Sequence, residues 1–240
     1  MTLSGKKLAV LVKIPNELFR FATVAADALV RKDSAKSLAL GLDNAGFYGT
    51  GSRQPTGLVN FTGSNELIDY AATTNPAPKG LAANGNVIQP EDGFRMAGLV
   101  EDRNFELTGW IMRPLTWAGV ASRRASAVTA ADEAGTFVQG ITRELGANAG
   151  NTWGGYKVTK SAVIRNDQVK ASSGATLTEV WGGQWEHMLL GMYGAVEFTT
   201  GSTGDTQLAT DQTHVRALMT CDATPRYRGA FVYYKQLLRA

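Results

Sequence analysis

The sequence predicts an α+β fold, in which one long helix and several strands belong to the same chain. Three observations support this prediction. Apolar residues recur at helical spacing over 15–45, apolar and polar residues alternate over 215–221, and 230–234 is a run of apolar and aromatic residues typical of a strand. Between them, the glycine-rich segment 46–58 combines glycine with proline, which is typical of a tight turn. We therefore expect the long helix to end at this segment and the chain to change direction there.

The composition is that of an ordinary globular protein. The 240 residues are 44% hydrophobic and 19% charged, which is enough apolar material to bury a core without crosslinks. The single cysteine, Cys221, excludes an intrachain disulfide, and its apolar alternating surroundings predict a buried thiol rather than a nucleophile. No apolar run approaches the roughly 20 residues that span a bilayer, so we expect no membrane association.

The charge of the chain is mildly basic. There are 24 Lys and Arg residues against 21 Asp and Glu residues, which gives a formal net charge of +3, and the basic residues are scattered along the chain. Sequence-specific recognition of nucleic acid usually involves a dense basic stripe or a recognition motif, and the sequence has neither. The charges therefore predict a solvated surface that makes at most nonspecific contact with a polyanion.

The first third of the chain predicts a strand followed by a long helix. Leu3–Ile14 is a strand by its alternation, and apolar residues on both sides of it predict burial on both faces. Pro15 is expected to open the helix, because proline fits a first helical turn. If the helix continues to Ala45, it is about 45 Å long and exceeds the usual globular helix. Residues 58–86 are rich in Gly, Asn, Thr, Ala and Pro, which predicts a loop-dominated stretch.

The rest of the chain predicts shorter elements. Proline at position 90, with two carboxylates directly after it, is typical of a helix start. Residues 125–151 show few signals of secondary structure. Helices are expected at Pro90–Asn104, Pro114–Ala121 and Glu186–Met192, and strands at Leu107–Met112, Tyr156–Ile164, Ala195–Thr200, Val215–Cys221 and Ala230–Tyr234.

The sequence contains no catalytic signature. The glycines at 49 and 51 follow a predicted helix instead of linking a strand to a helix, and no Gly-Lys-Ser/Thr completes a phosphate loop. The only histidines, His187 and His214, lack metal-ligand spacing, so we expect no metal and no cofactor. The nucleophile motif Gly-x-Ser-x-Gly is also absent. An enzyme, the alternative from another class, would have to line its pocket with the loop-rich segment 65–86.

Six short motifs, taken in order, resemble the major capsid proteins of tailed bacteriophages, which have the Hong Kong 97-type capsid fold. Two positions depart from the family pattern: Pro15 replaces the usual Ser, and Gln184 stands where Asp is common. The resemblance covers almost the whole chain. The motifs are Lys7–Leu18, Gly49–Leu58, Trp110–Pro114, Gly155–Val158, Gly182–Trp185, and the return strands with Val215, Arg216, Asp222 and Ala230–Val232.

The resemblance implies both an architecture and a role. A peripheral domain would comprise residues 1–55 and 192–240, with the spine helix and return strands, and a mixed α/β axial domain would comprise 56–191. The chain would be a structural protein of the virion, not an enzyme, that self-assembles in the host cytoplasm into an icosahedral shell around double-stranded DNA. Its partners would be its own copies, DNA bound nonspecifically, and portal, scaffold or decoration proteins. An encapsulin-type shell around an enzyme cargo is the alternative.

The resemblance also implies where subunits would meet. Thr199–Gln212 is similar to a loop that contacts its copies around threefold axes, and its polar residues cannot form a core. The family's N-terminal arm and half of its extended loop have no counterpart before Met1, so Met1–Leu11 is expected to be a lone strand with unpaired backbone groups on both edges. We therefore expect another chain to cover this strand, or the native product to extend upstream. The expected contacts are Lys6, Lys7, Val10, Val12, Gly201, Ser202, Thr203, Gly204, Asp205 and Arg216.

Overall fold

The chain forms two compact units. The computed structural model describes residues 3–17, 25–61, 67–73, 78, 80–122, 141–142, 151–174, 176–201, 204 and 209–238. Unit 1 comprises Met1–Asn60 and Leu189–Arg226, and unit 2 comprises Phe61–Met188 and Tyr227–Ala240. The segment 192–240, expected in a single domain, is thus divided between the two units.

Helices and strands are both well represented, which confirms the predicted α+β class. The described helices are α1 (Ala25–Tyr48), α2 (Pro90–Glu101) and α3 (Pro114–Ser122). The described strands are β1 (Lys6–Pro15), β2 (Ile68–Asp69), β3 (Gly109–Met112), β4 (Ile141–Thr142), β5 (Thr152–Trp153), β6 (Tyr156–Lys160), β7 (Thr178–Gly183), β8 (Met188–Met192), β9 (Glu197–Gly201), β10 (Gln212–Pro225) and β11 (Phe231–Leu237).

Strand β10 organises the four-stranded sheet of unit 1, because it pairs with β1, β8 and β9. Its antiparallel ladder with β1 runs from Lys6 opposite Cys221 to Pro15 opposite Gln212. Strand β9 pairs antiparallel with residues 214–218 of β10. The pairing of β1 with β10 joins the beginning of the chain to a segment about 200 residues later, so this sheet depends on long-range contacts.

The core of unit 1 lies between one face of this sheet and α1. Leu8 and Val10 of β1 pack around a buried cluster that contains Leu38 of α1 and Cys221 of β10. The free Cys221 thiol is buried, as predicted, and burial raises its pKa above 9.0. The opposite face of β1 is exposed, with Leu11 57% exposed. The expectation of burial on both faces of β1 is therefore wrong, because α1 covers only one of them.

The residue Pro15 ends β1 and does not begin the helix. It occupies the last register position of the ladder, opposite Gln212, and a missing N–H is tolerated at such a strand end. Helical backbone begins directly after Pro15, at Asn16 and Glu17. Residues 18–24 lie outside the described part of the chain, and α1 is described from Ala25. From there α1 runs 24 residues to Tyr48, three residues beyond the predicted end, and is about 36 Å long at 1.5 Å per residue.

The glycine-rich segment after α1 is a tight structural turn, as predicted. The Gly49 N–H donates to the carbonyl of Ala45 at 2.9 Å, and the Gly57 N–H donates to the carbonyl of Gly49 at 2.8 Å. These bonds bring the backbone at Gly57 very close to the backbone at Gly49. A Cβ on Gly57 would lie 2.4 Å from the Gly49 nitrogen, and one on Gly49 would lie 2.1 Å from the Pro55 oxygen. Only glycine fits at either position.

Unit 2 is built on a seven-stranded sheet in the order β2-β11-β7-β3-β6-β5-β4. Strand β3 lies antiparallel to β7 and parallel to β6. The core beside this sheet is rich in large aromatic side chains, including Trp110, Trp153 and Tyr234, all completely buried. The indole N–H of Trp110 donates to the carbonyl of Trp153 at 2.9 Å, so burying these rings leaves that polar group satisfied.

Two elements of the middle region differ from the sequence-based expectation. The predicted helix Glu186–Met192 is wrong: Trp185–His187 forms a 3₁₀ turn and Met188–Met192 is strand β8. A five-residue apolar run is too short for periodicity to separate helix from strand. Strand β7 was not predicted, because all six of its residues are buried and it shows no alternation. The predicted helices at 90–104 and 114–121 are confirmed as α2 and α3.

A buried carboxylate holds the start of α2. The Asp92 side chain accepts hydrogen bonds from the Gln89 backbone N–H at 2.7 Å and from the Tyr70 hydroxyl at 2.8 Å. The ring of Tyr70 stands edge-on to the buried ring of Tyr234, with centroids 5.0 Å apart. Burial raises the pKa of the Asp92 carboxyl above its ordinary value of 3.8, while the two hydrogen bonds oppose that shift.

The first prediction concerns the glycine-rich turn. Replacing Gly57 with Ala should lower the free energy of unfolding by about 2 to 3 kcal/mol, because the new methyl group overlaps backbone atoms that cannot move aside. The matched control is Gly201→Ala in the same unit, where a Cβ meets no atom within 4 Å. Denaturant unfolding of the unassembled chain measures both. Equal stability of the two variants would contradict the packing argument.

The second prediction concerns the titration of Asp92. Its folded-state pKa is raised, so the folded state binds more protons than the unfolded state between the two pKa values. The stability that Asp92 contributes is therefore greatest at low pH and declines as pH rises through that window. Asp92→Asn removes the titration but keeps an oxygen acceptor for Tyr70. As pH rises above about 4, the ordinary pKa of the carboxyl, wild type should lose stability relative to this variant.

Denaturant unfolding of wild type and Asp92→Asn at several pH values tests this expectation. A difference in stability that does not change with pH would refute the proposed shift.

Candidate assembly surfaces

The expected contact residues of β1 lie on two faces. Lys6, Val10 and Val12 lie on the half-buried face, where Val10 packs against the core of unit 1. Lys7 lies on the exposed face. Val10 thus contributes to the fold, whereas the lysine on the exposed face is accessible in the isolated chain.

The exposed face of the β1–β10 ladder brings Arg216 next to β1. Arg216 is exposed and stands directly opposite Leu11, and residues opposite each other in a ladder share a face. The same face of β1 also carries Lys7 and Lys13. The structure therefore places Arg216 and Lys7, two of the expected contacts, on one basic surface with an apolar residue, Leu11, beside it.

Strand β1 has a partner within its own chain. The expectation of unpaired groups on both edges is wrong, because β10 pairs with one edge of β1 over all ten residues. This pairing was hidden in the sequence by the separation of the two strands. Strand β1 ends the sheet order, so within the described residues its other edge pairs with no strand.

The expected inter-subunit loop connects β9 to β10. Thr199 and Thr200 are exposed in β9, and Gly201 lies opposite His214 at the end of the ladder. Gly204 is half-buried. Three of the expected residues, Ser202, Thr203 and Asp205, lie outside the described residues.

The sheet also carries an apolar surface that sequence reasoning missed. Leu190, Met192 and Tyr193, in β8 and directly after it, are 52%, 56% and 48% exposed. The predicted helix over this run would have placed Leu190 and Met192 on different sides. Reading it as a strand would have placed Leu190 and Met192 on the same face.

The loop-rich segment that would have lined an enzyme pocket is packed against the sheet of unit 2. Ile68 and Tyr70 are buried in the main core. Asn86 is completely buried, donates from its side chain to the carbonyl of Lys235 at 3.0 Å and accepts from Lys170 Nζ at 2.5 Å. In the described portion of this segment, these polar groups are therefore engaged in structure.

Two further searches of the described residues bear on function. No group of three or more His, Cys, Asp or Glu side chains among them is arranged to hold a metal ion. No helix in the described ranges is long and apolar enough to cross a membrane.

The comparisons with known proteins agree with this architecture. The model of the phage capsid family matches residues 1–236. Among solved structures, the chain is similar to the capsid of a native GTA particle, with a TM-score of 0.68 and 16% identity over 99% of this chain and 74% of that one. It is also similar to a structure from Microbacterium phage Oxtober96, with a TM-score of 0.66 and 14% identity over 98% of this chain and 73% of that one.

An encapsulin has a related fold. The holo-SrpI encapsulin complex from Synechococcus elongatus matches with a TM-score of 0.57 and 11% identity, covering 97% of this chain and 74% of that one. The search of curated proteins found no match to this chain. At such low identities the structural similarities show the fold.

Membership of a family is shown by the family match, which spans nearly the whole chain. The two units, the long helix and the sheets of the described residues form the mixed architecture expected from the sequence motifs. The chain therefore belongs to the phage capsid family, as a structural shell protein and not an enzyme.

Proposed function

We propose that copies of this chain assemble into an icosahedral shell that encloses double-stranded DNA in a virion. The observation that carries the proposal is the family match over residues 1–236, supported by a fold similar to that of the capsid of a GTA particle. Assembly would take place in the host cytoplasm, with portal, scaffold or decoration proteins as further partners.

Within this proposal, unit 1 is the peripheral domain and unit 2 is the axial domain. The support is their content: unit 1 holds the long helix α1 and the β1–β10 ladder beside it, and unit 2 holds the seven-stranded sheet. The proposed domains follow the observed units, so residues 227–240 join the axial domain instead of the peripheral one.

Contact with DNA would be nonspecific. The net charge is only +3, and the exposed cations of the β1–β10 ladder, Lys7, Lys13 and Arg216, are separated along the strands. Such an arrangement can neutralise phosphates but cannot read base edges. A shell that packages DNA of any sequence needs only to neutralise phosphates.

A protein compartment of the encapsulin type is the second candidate. The similarity to the holo-SrpI encapsulin complex supports it, at a TM-score of 0.57 against 0.68 for the GTA capsid. The two candidates share the fold and differ in what the shell contains.

The contents of the particle are the third prediction. Particles isolated from the producing host should sediment at megadalton mass and, after external nuclease treatment and disruption, release double-stranded DNA. Particles disrupted before nuclease treatment are the control, in which the DNA should be digested. Shells that hold a protein cargo and no DNA would favour the encapsulin candidate, and a small oligomer would refute the shell itself.

The fourth prediction concerns the loop between β9 and β10. Replacing Gly201–Asp205 with a shorter turn should leave the unassembled chain folded, because the ladder between β9 and residues 214–218 lies mainly outside the loop. Shell formation should be lost, since the loop is proposed to contact its copies.

Circular dichroism reports the fold of this variant, and sedimentation reports its assembly. Normal shells from a folded variant would show that the loop is a solvent-exposed tip. A chain that unfolds would show instead that the loop supports the ladder.

A further inference from the structure

An Asn-Gly pair lies at the tip of a tight loop in unit 2. Asn84–Gly85 is the one Asn-Gly pair of the sequence. The loop that carries it is closed by a hydrogen bond from the Val87 N–H to the carbonyl of Gly80 at 2.7 Å. Residues 81–84 are all exposed, whereas Gly85 is buried. The Asn84 side chain is therefore accessible to water, while the backbone directly after it is held in place.

The backbone nitrogen of Gly85 is open to the side chain of Asn84. Gly85 has no Cβ that could shield its nitrogen, and its φ of +134° is one that residues with a side chain rarely adopt. Among the described residues, the backbone hydrogen bonds of this loop use the N–H groups of Asn86 and Val87, and not that of Gly85. The Gly85 nitrogen can therefore reach the side-chain carbonyl carbon of the residue that precedes it.

The side-chain amide of Asn84 is polarised by a neighbouring hydroxyl. Ser172 Oγ donates to Asn84 Oδ1 at 2.9 Å. Such a bond stabilises the negative charge that a carbonyl oxygen gains when a nucleophile attacks its carbon. Ser172 lies in a turn that is closed by the Ser173 N–H, which donates to the carbonyl of Lys170 at 3.0 Å. The hydroxyl is thus brought to the amide by the fold, from a distant part of the sequence.

We propose that Asn84 is a site of spontaneous covalent modification, in which the Gly85 nitrogen attacks the Asn84 side-chain amide while Ser172 donates to its oxygen. The Gly85 nitrogen gives its proton to hydroxide or water and forms a bond to Asn84 Cγ. The C–N bond of the side-chain amide breaks, and its nitrogen takes up a proton and leaves as ammonia. The product is a succinimide ring. Water then opens the ring at either carbonyl and yields aspartate or isoaspartate, so the net reaction exchanges NH₂ for OH without oxidation or reduction.

The isoaspartate product would disturb the attachment of the loop to the end of β11. Isoaspartate routes the main chain through the former side-chain carbonyl, which adds a methylene group to the backbone before Gly85. There is little room for the shift, because a Cβ on Gly85 would lie 2.8 Å from Leu177 and 2.9 Å from Leu238. The next residue, Asn86, donates its N–H to the carbonyl of Gln236 at 2.7 Å and accepts from the Leu238 N–H at 2.8 Å. Modification should therefore weaken this pairing.

Peptide mass spectrometry of the folded, unassembled chain provides the first test and the fifth prediction. The chain is stored in mildly alkaline buffer at physiological temperature, sampled over weeks and cleaved with trypsin. Cleavage after Lys79 and Arg95 leaves Asn84 and Asn86 in one peptide, so the buried Asn86 is a matched control with the same history. Fragmentation assigns each exchange of NH₂ for OH to one of the two residues.

The modification should occur at Asn84 at least about tenfold faster than at Asn86, because the β-branched Val87 shields the nitrogen that follows Asn86. The Asn86 amide is also held by hydrogen bonds to Lys235 and Lys170. Both the succinimide and isoaspartate should be detected at position 84. Equal rates at the two residues, or no modification of Asn84, would overturn the inference.

Two variants test the assigned chemistry. Asn84→Gln keeps the amide but can close only a larger ring, so loss of ammonia at position 84 should become undetectable. Ser172→Ala removes the donor to the amide oxygen and should slow the reaction about three- to tenfold. Both residues are exposed, so the freshly prepared variants should unfold at the same temperature as wild type. Ser37→Ala, at an exposed position of α1, is the control and should leave the rate unchanged. An unchanged or faster reaction in Ser172→Ala would overturn the role of Ser172.

The stability of the aged chain tests the structural consequence. Chains that carry isoaspartate are separated by chromatography, and they should unfold at a lower temperature than unmodified chains. Asn84→Asp is the matched control, because it carries the new charge on an unchanged backbone and should unfold as wild type does. Isoaspartate chains as stable as this control would show that the loop accommodates the longer backbone and would overturn the expected effect on β11. None of these measurements requires shell assembly, so their outcome is independent of the proposed function.

Discussion

The ladder between β1 and β10 is the constraint on which unit 1 depends. Ten residues near the start of the chain pair with ten residues about 200 positions later, and buried backbone groups must be paired for the fold to be stable. The ladder also aligns the inner face of β1 with α1, so Leu8, Leu38 and Cys221 meet in one cluster. Without β10, the contact of α1 with β1 would lack the buried side chains of Ala217, Met219 and Cys221.

The glycine-rich turn completes this arrangement by ending α1 and redirecting the chain. Its hydrogen bonds, from Gly49 to Ala45 and from Gly57 to Gly49, need a backbone approach that no side chain permits. The turn also brings Arg53 near the start of β1, since both line the same cavity. The glycines of this turn therefore determine where α1 ends, and they place Arg53 near the start of β1.

Much of this fold could be predicted from the sequence. An element was predictable where its buried and exposed residues recur with the period of a helix or a strand. Strand β10 alternates over part of its length and was predicted there, whereas β7 is buried at all six positions and gives no period. The partner of β1 could not be predicted, because pairing across the whole chain leaves no local pattern. The contact of Lys6 Nζ with the Ser52 carbonyl could not be predicted either, because the two residues meet only once the turn has folded.

The surfaces of unit 1 show why a shell protein differs from a self-sufficient monomer. Leu11, Leu190 and Met192 are each more than half exposed, at 57%, 52% and 56%. Single exposed apolar residues are common on proteins, whereas a contiguous apolar surface usually marks a contact. Leu190 and Met192 share one face of β8 and are followed directly by the half-exposed Tyr193. Within the proposed shell, burial of this run against another copy would contribute free energy to assembly.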